Sequence, residues 1–357
     1  MNTSARAHAL AEASRHFPLL GTYTAKDLLE TIRLELGHVE ILDGFRPYAE
    51  HFSHAQPLSP ILHIVSGNTP HAALQSLIRG LLLGAQNLIK IPSAGLPEVE
   101  AFLEHLPAGL RELALVSCEL PEAWTRQAQA WVVFGSDETI SHFRNKTPSG
   151  VVFVPHAHLY SLGVVYESSG PAARLAAVDI SRFNQKGCLS PHDIYVKGDA
   201  RAFAAQLAQE MEQYSLIDPP TALTTAEAAE VHNLRANYRF RGASDPRVQI
   251  WESSGSLNWT VIFEEDAWFA ASCLNRVVFV KPWPEHPEAA LGPALGWLGA
   301  IGVWPATPDA AEELRPLRPS RICPLGRMQE PPVSWHQEGR QNLAPLVQWV
   351  DFEPDFA

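Results

Sequence analysis

Between residues 60 and 134, short apolar runs alternate with helix-forming stretches, and this alternation restricts the fold more than any other feature of the chain. The runs "PILHIV" (60–65), "NLIKI" (87–91), "ELALVS" (112–117) and "WVVF" (131–134) are nearly continuous in apolar character. Helical patterns separate them: Pro70 to Gly84, "LPEVEAFLEHL" (96–106) and "EAWTRQAQA" (122–130). Strands without an alternating polar face are buried on both sides, which predicts a parallel sheet covered by helices. Thr69 before Pro70 suits an N-cap and first turn, and Gly84 suits a helix end. With 357 residues, 46% of them hydrophobic, the chain can fill a core and its length favours two lobes.

Further strands are predicted at 150–154, 161–166, 193–197, 247–251, 258–263 and 276–281, with helices from about Pro171 to Phe183 and over 200–213. The stretch from there to about 245 reads as less regular. The Pro- and Trp-rich tail after "RICPLGRMQEPP" is expected to wrap back over the body.

Charge and composition exclude several classes. A formal net charge of −12 argues against gripping nucleic acid or anionic membrane by bulk electrostatics. The most apolar span, "ALQSLIRGLLLGAQNLIKI", is interrupted by Arg79, Gln86 and Lys90 and broken at Gly84, so no membrane span is predicted. The N-terminus has no continuous apolar stretch of the secretory kind. Cys118, Cys188, Cys273 and Cys323 lie far apart with no CxxC pair, so neither a zinc site nor a disulfide framework is expected, and a cytoplasmic setting fits best. No GxGxxG or P-loop motif occurs.

Ligands of parallel α/β sheets bind beyond the carboxyl ends of the strands. "SGNTP" (66–70), "IPSAG" (91–95) and "GSDE" (135–138) lie there, which brings Ser66, Gly67, Ser93, Gly135 and Ser136 forward as binding candidates. Ordinary strand-to-helix turns need the same residue types, and Ser136 also suits a helix cap. Cys188, in "FNQKGCLSPHDIYV", is either a nucleophile, with Lys186 able to lower its thiol pKa if the ammonium points inward, or a small packing residue at a seam. His156 and His158 are two apart on an extended segment and face one side. That arrangement suits proton exchange, a metal pair, or simply a polar strand end.

The segments "GNTPHAALQSLIRGLLLGAQNLIKIPS", "QKGCLSPHDIYV" and "RICPLGRMQEPPVSWHQEGRQNLAPLVQWVD" resemble the aldehyde dehydrogenase superfamily. Within it they are most similar to the acyl-CoA reductase branch typified by the bacterial bioluminescence fatty-acid reductase (LuxC type). The resemblance covers about 60–351. It implies an aldehyde dehydrogenase-like α/β fold: a Rossmann-like parallel-sheet cofactor domain and an α/β catalytic domain. The expected boundaries are an N-terminal helical segment (1–54) packing on the cofactor domain, an NADP(H)-binding domain (55–185), a catalytic domain (186–325) and a C-terminal return segment (326–357). Cys188 is implied as the nucleophile. Asn68 is implied to share an oxyanion hole with the Cys188 backbone N–H, although an asparagine that merely tolerates turn geometry would look the same. Lys90 is implied at the adenine ribose, and Gly135 and Ser136 against the nicotinamide and phosphate side. No carboxylate follows Lys90 in "KIPSAG", which favours NADPH over NADH.

One departure is informative. Hydrolytic relatives carry a water-activating glutamate where this chain has "PHAHLYSLGVV", with His156 and His158 nearby. The expected activity is therefore reduction of an acyl-CoA or acyl-carrier thioester to an aldehyde by a homodimer using NADPH. Aldehyde oxidation and a non-reducing, acyl-holding subunit are the alternatives.

Overall fold

A computed structural model describes every residue except Thr22, Ser66, Asn68, Thr69, Ser169, Phe356 and Ala357. The chain divides into two compact units, Met1–His158 with Pro332–Ala357, and Leu159–Pro331.

In the first unit, β1 (Arg46–Tyr48) and β2 (His51–Pro57) form a three-stranded antiparallel sheet with the C-terminal strand Val347–Phe352. A second, all-parallel sheet contains β3 (Ile61–Ile64), β4 (Asn87–Lys90), β5 (Ala114–Ser117), β6 (Ala130–Phe134) and β7 (Val152–His156). Its strands lie in the order β5-β4-β3-β6-β7. The chain thus runs outward from β3 to β5 and then returns to build β6 on the other side of β3. The order reverses between β3 and β6, the position where such sheets open a crevice for ligands.

The helix Pro70–Leu83 follows β3 and is buried along most of its length because it carries apolar residues almost all round. It packs in one core with Leu10, Leu28 and Ile32 from the helices Thr3–Ser14 and Ala25–Leu36. Each buried leucine of this kind stabilises the unit by roughly 2 kcal/mol. Gly80 of the central helix has a specific purpose: a Cβ there would come within 1.8 Å of Asn87 Oδ1. Its absence lets Asn87 Oδ1 reach His63 Nε2 at 2.9 Å while His63 Nδ1 meets Ser76 Oγ at 2.7 Å, a fully buried polar network beneath the helix.

The second unit is a seven-stranded sheet of β8 (Tyr160–Val165), β9 (Pro191–Val196), β10 (Val248–Glu252), β11 (Thr260–Glu264), β12 (Val277–Pro282), β13 (Leu298–Trp304) and β14 (Arg321–Pro324). The order is β10-β11-β12-β9-β8-β13-β14, with every neighbouring pair parallel except β10 and β11. Strand β8, which sequence position groups with the first lobe, pairs with β9 and β13, so the division falls at residue 158/159. The stretch read as less regular contains a 20-residue helix, Thr225–Ser244. Only Val231 and Arg235 of that helix are buried, so the apolar period that announces a helix is nearly absent. The local sign was the Thr224/Glu227 capping box at its start.

Candidate active site

Two loops flank the reversal of strand order in the first unit: residues 65–70 after β3 and 135–138 after β6. Ser66 and Asn68 lie outside the described residues. Gly67 is exposed, and a Cβ on it would come within 3.0 Å of Pro92 in the neighbouring loop. Lys90 ends β4 half-buried, opposite Ile64 of β3, and Ser93 is exposed beyond it. At Gly135 a Cβ would lie 2.7 Å from Thr139 Cγ2, so glycine is what lets the turn lie against the first turn of the helix Asp137–Lys146. Ser136 caps that helix: its Oγ accepts from Thr139 N and donates to Glu138 Oε2 at 2.7 Å. With Asp137 and Glu138 in its first turn, this helix end already has its negative charge.

His156 ends β7. Its Nδ1 lies 2.9 Å from Glu338 Oε1, and its ring stacks on Phe134 at 4.3 Å with an interplanar angle of 15°. The pair is largely removed from solvent, with side-chain exposures of 10% and 18%. His156 lines a cavity of about 140 Å3 with Ser76, Arg79, Val154, Gln337 and Arg340. Glu338 follows strand β7 by 182 residues and has left-handed backbone geometry (φ 54°), so sequence reasoning had no signal for this contact. His158 is exposed in the loop that follows. The two histidines thus occupy different surroundings, and among the described residues no group of three or more potential metal ligands occurs.

In the second unit, Cys188 is exposed on the loop between the helix Gly170–Ser181 and β9. The chain reaches it through three successive left-handed residues, Phe183, Asn184 and Gln185, each strained by about 1–3 kcal/mol. A second left-handed triplet, Leu274–Arg276, meets the first: Asn275 N donates to Asn184 O at 3.1 Å. Gln185 locks the two together. Its fully buried amide donates to Pro191 O and Val277 O at 2.8 and 2.7 Å and accepts from Val277 N at 2.9 Å. On the far side of the cysteine, Ser161 Oγ donates to Cys188 O and accepts from Ala300 N, both at 3.0 Å. Gln329 Nε2 donates to Ser190 Oγ at 2.8 Å, and a Cβ at Gly187 would lie 2.9 Å from Gln329 Oε1. The Gln329 loop is itself held by Asp179, which accepts from the Gly326 and Met328 N–H groups. Burial nevertheless raises the Asp179 carboxyl to about 7.

Lys186 is paired with an acidic residue. Its Nζ lies 2.5 Å from Glu227 Oε1 at the start of the helix Thr225–Ser244, and this contact, with the Thr224 N–H, holds the Glu227 carboxyl down to about 2. The ammonium is therefore largely neutralised by its partner. Cys273 and Cys323 are pushed up to about 11 by burial, which keeps them as thiols and leaves Cys188 as the exposed cysteine of this unit.

A family model described as acyl-CoA reductase (LuxC) matches residues 3–349. Among curated proteins, the long-chain acyl-protein thioester reductase of Aliivibrio fischeri is 22% identical over 273 residues, covering 71% of this chain and 55% of that protein. Long-chain acyl-protein thioester reductase 2 of Photobacterium leiognathi is 25% identical over 343 residues, covering 91% and 70%. The chain spans about half the length of the first two curated relatives it matches. Among solved structures, an oxidoreductase from Marinobacter aquaeolei superposes with a TM-score of 0.68 at 15% identity, covering 99% of this chain and 86% of that one. An NAD+ complex of an aldehyde dehydrogenase from Bacillus cereus gives 0.66 at 13%, covering 99% and 84%. The fold is thus aldehyde dehydrogenase-like α/β, as the resemblance implied. The family match spans the strand-order switch, the His156 strand and the Cys188 loop alike, and by it the chain belongs to the acyl-CoA reductase (LuxC) family.

Proposed function

We propose that the protein reduces an acyl thioester to an aldehyde with NADPH through an acyl-enzyme on Cys188. The observation that carries this reading is the Cys188 loop. An exposed cysteine is held at the head of a strained segment by buried hydrogen bonds from Ser161, Gln185 and, through Ser190, Gln329, an arrangement a packing cysteine does not need. A thiolate at this position attacks the acyl carbon, the donor's C–S bond breaks, and the donor leaves as its thiolate. Thioester exchange is nearly isoenergetic, so nucleophile and leaving group are well matched. The acyl-enzyme then accepts a hydride at the same carbon, and the Cys188 C–S bond breaks to release the aldehyde. Asn68 is assigned, with the Cys188 N–H, to the developing oxyanion.

The residues of the first unit fit a nicotinamide dinucleotide, with the strand-order switch between β3 and β6 supplying the crevice. Bound there, NADPH supplies the hydride. Lys90, with Ser66, Gly67 and Ser93 in the adjoining loops, is assigned to the adenosine side, and Gly135 and Ser136 to the nicotinamide side. Asp137 and Glu138 would repel phosphate from the helix end beside Ser136, which supports a cofactor whose anionic part lies toward Lys90. No carboxylate stands in residues 91–95 to oppose a 2′-phosphate, which supports NADPH over NADH. "PHAHLYSLGVV" has no glutamate where hydrolytic relatives carry one, so no carboxylate base there directs water onto the acyl-enzyme, and His156 and His158 nearby are assigned to proton exchange.

The named relatives act on long-chain acyl-protein thioesters, which supports a long acyl chain carried by a protein or by CoA. No helix among the described residues is long and apolar enough to cross a membrane. A cytoplasmic homodimer, with the first unit as cofactor domain and the second as catalytic domain, completes the reading. A single-turnover assay with acyl-CoAs of graded length tests it by following free thiol and NADPH absorbance together. Equal amounts of thiol and oxidised cofactor are expected, and Cys188→Ala should abolish both. Thiol release without NADPH oxidation would leave an acyl-holding protein, and full aldehyde output from Cys188→Ala would sink the acyl-enzyme.

A further inference from the structure

The reductase reading gives His156 a proton to handle but says nothing of what sets its ring. Glu338 does. Its Oε1 stands 2.9 Å from Nδ1, and a carboxylate oxygen accepts, so Nδ1 carries the hydrogen. Phe134 stacks flat on the ring and removes its freedom to rotate. Among the described residues Nε2 has no hydrogen-bond partner, so the contact to Glu338 alone selects the tautomer. The charged groups around the pair come from each element packed on it: Arg79 from the helix Pro70–Leu83, and Glu338 and Arg340 from the C-terminal return segment. Tyr23 and Glu35, with Glu338, are the groups that face the Arg79 guanidinium. The left-handed backbone at Glu338, with Gly339 after it also at positive φ, is the local strain that aims the carboxylate back at β7.

We infer that Glu338 and His156 form a carboxylate–imidazole dyad, in which Glu338 is a positioning residue that fixes the Nδ1–H tautomer and leaves Nε2 as the proton-exchanging atom. The inference rests on the reductase reading for its chemistry, and on the geometry alone for the dyad. With hydrogen held on Nδ1, the proton that the ring takes up or releases in turnover passes through Nε2.

The test uses the full chain labelled with 15N in its histidine rings, with His156→Gln identifying the signals. The expected result is an Nδ1–H neutral tautomer in the wild type that is no longer fixed in Glu338→Gln. In the same variant, kcat should drop by roughly 10- to 100-fold, with the KM for the acyl donor nearly unchanged. Glu338→Asp should recover part of both effects, which a loss of packing would not. An Nε2–H tautomer, or a tautomer unchanged in Glu338→Gln, overturns the dyad. So does wild-type turnover in Glu338→Gln when His156→Gln is slow. If the wild-type protein neither releases thiol nor oxidises NADPH, the reductase reading fails, and the tautomer measurement still decides the dyad.

Discussion

The loop that carries Cys188 and the turn that carries Gly135 and Ser136 both connect a helix with a strand of a parallel sheet, yet they are built by opposite means. The turn is locally satisfied: Ser136 caps its own helix, and Gly135 leaves room for Thr139 four residues further on. The cysteine loop is locally unsatisfied. Three left-handed residues precede it, and the groups that hold it come from β8, β12 and the loop after β14. Strain of this size persists only where the surroundings over-determine it, and such places concentrate at functional sites. The contrast supports the proposal that the cysteine loop, and not the turn, carries the reaction.

Gln185→Ala should break the contrast most severely. It removes the side chain that joins the two left-handed triplets, and with it the hydrogen bonds to Val277 N, Val277 O and Pro191 O; Val277 N–H keeps Leu274 O and Val277 O keeps Ser272 Oγ. The expected cost is about 3 kcal/mol, read as a lower urea midpoint, with acylation of Cys188 slowed in the protein that remains folded. An unchanged midpoint would mean that the loop is held by something other than its polar ties.

The first unit has a buried polar tie of its own, and pH should expose it. Burial pulls the His63 imidazole down to about 4. A ring that is neutral when folded and takes up a proton near pH 6.5 when unfolded contributes stability that is fully present above pH 6.5. That contribution is lost as pH falls toward 4, by about 3 kcal/mol in all. Unfolding midpoints measured from pH 7 to 4 should show this slope, and His63→Gln should lose it. A slope that survives the substitution would assign the acid sensitivity to other groups.

Ser136→Ala should have the smallest effect, about 1 kcal/mol of stability from a lost cap, with a raised KM for NADPH. An unchanged KM for NADPH would leave Ser136 with the cap alone and sharpen the contrast between the two loops.

The parallel sheet of the first unit was legible because its strands are apolar throughout and its turns carry Gly, Ser and Pro at the expected places. The cysteine segment was legible through its resemblance to a family. The helix Thr225–Ser244 was not, since a mostly exposed helix has no apolar period to read. Strand β13, "LGAIGVW", is apolar throughout, as a strand buried on both faces should be, but its place between β8 and β14 is not recorded in its own sequence. Lys186 shows the same limit at the site: its closeness to Cys188 in sequence suggested help for the thiol, while Glu227, 41 residues away, takes its charge.

The sequence alone determined what depends on neighbours along the chain: the strand and helix periods, the caps at Ser136 and Thr224, the glycine turn at 135, and which cysteine follows a glycine at a helix-to-strand junction. Tertiary structure alone decided which distant groups meet. Glu338 reaches His156, Gln329 reaches Ser190, and Gly80 opens the space in which Asn87 meets His63. Local periodicity records which face of an element is buried, whereas a hydrogen bond between residues far apart in the chain depends on how the elements pack, and no short window of sequence contains that.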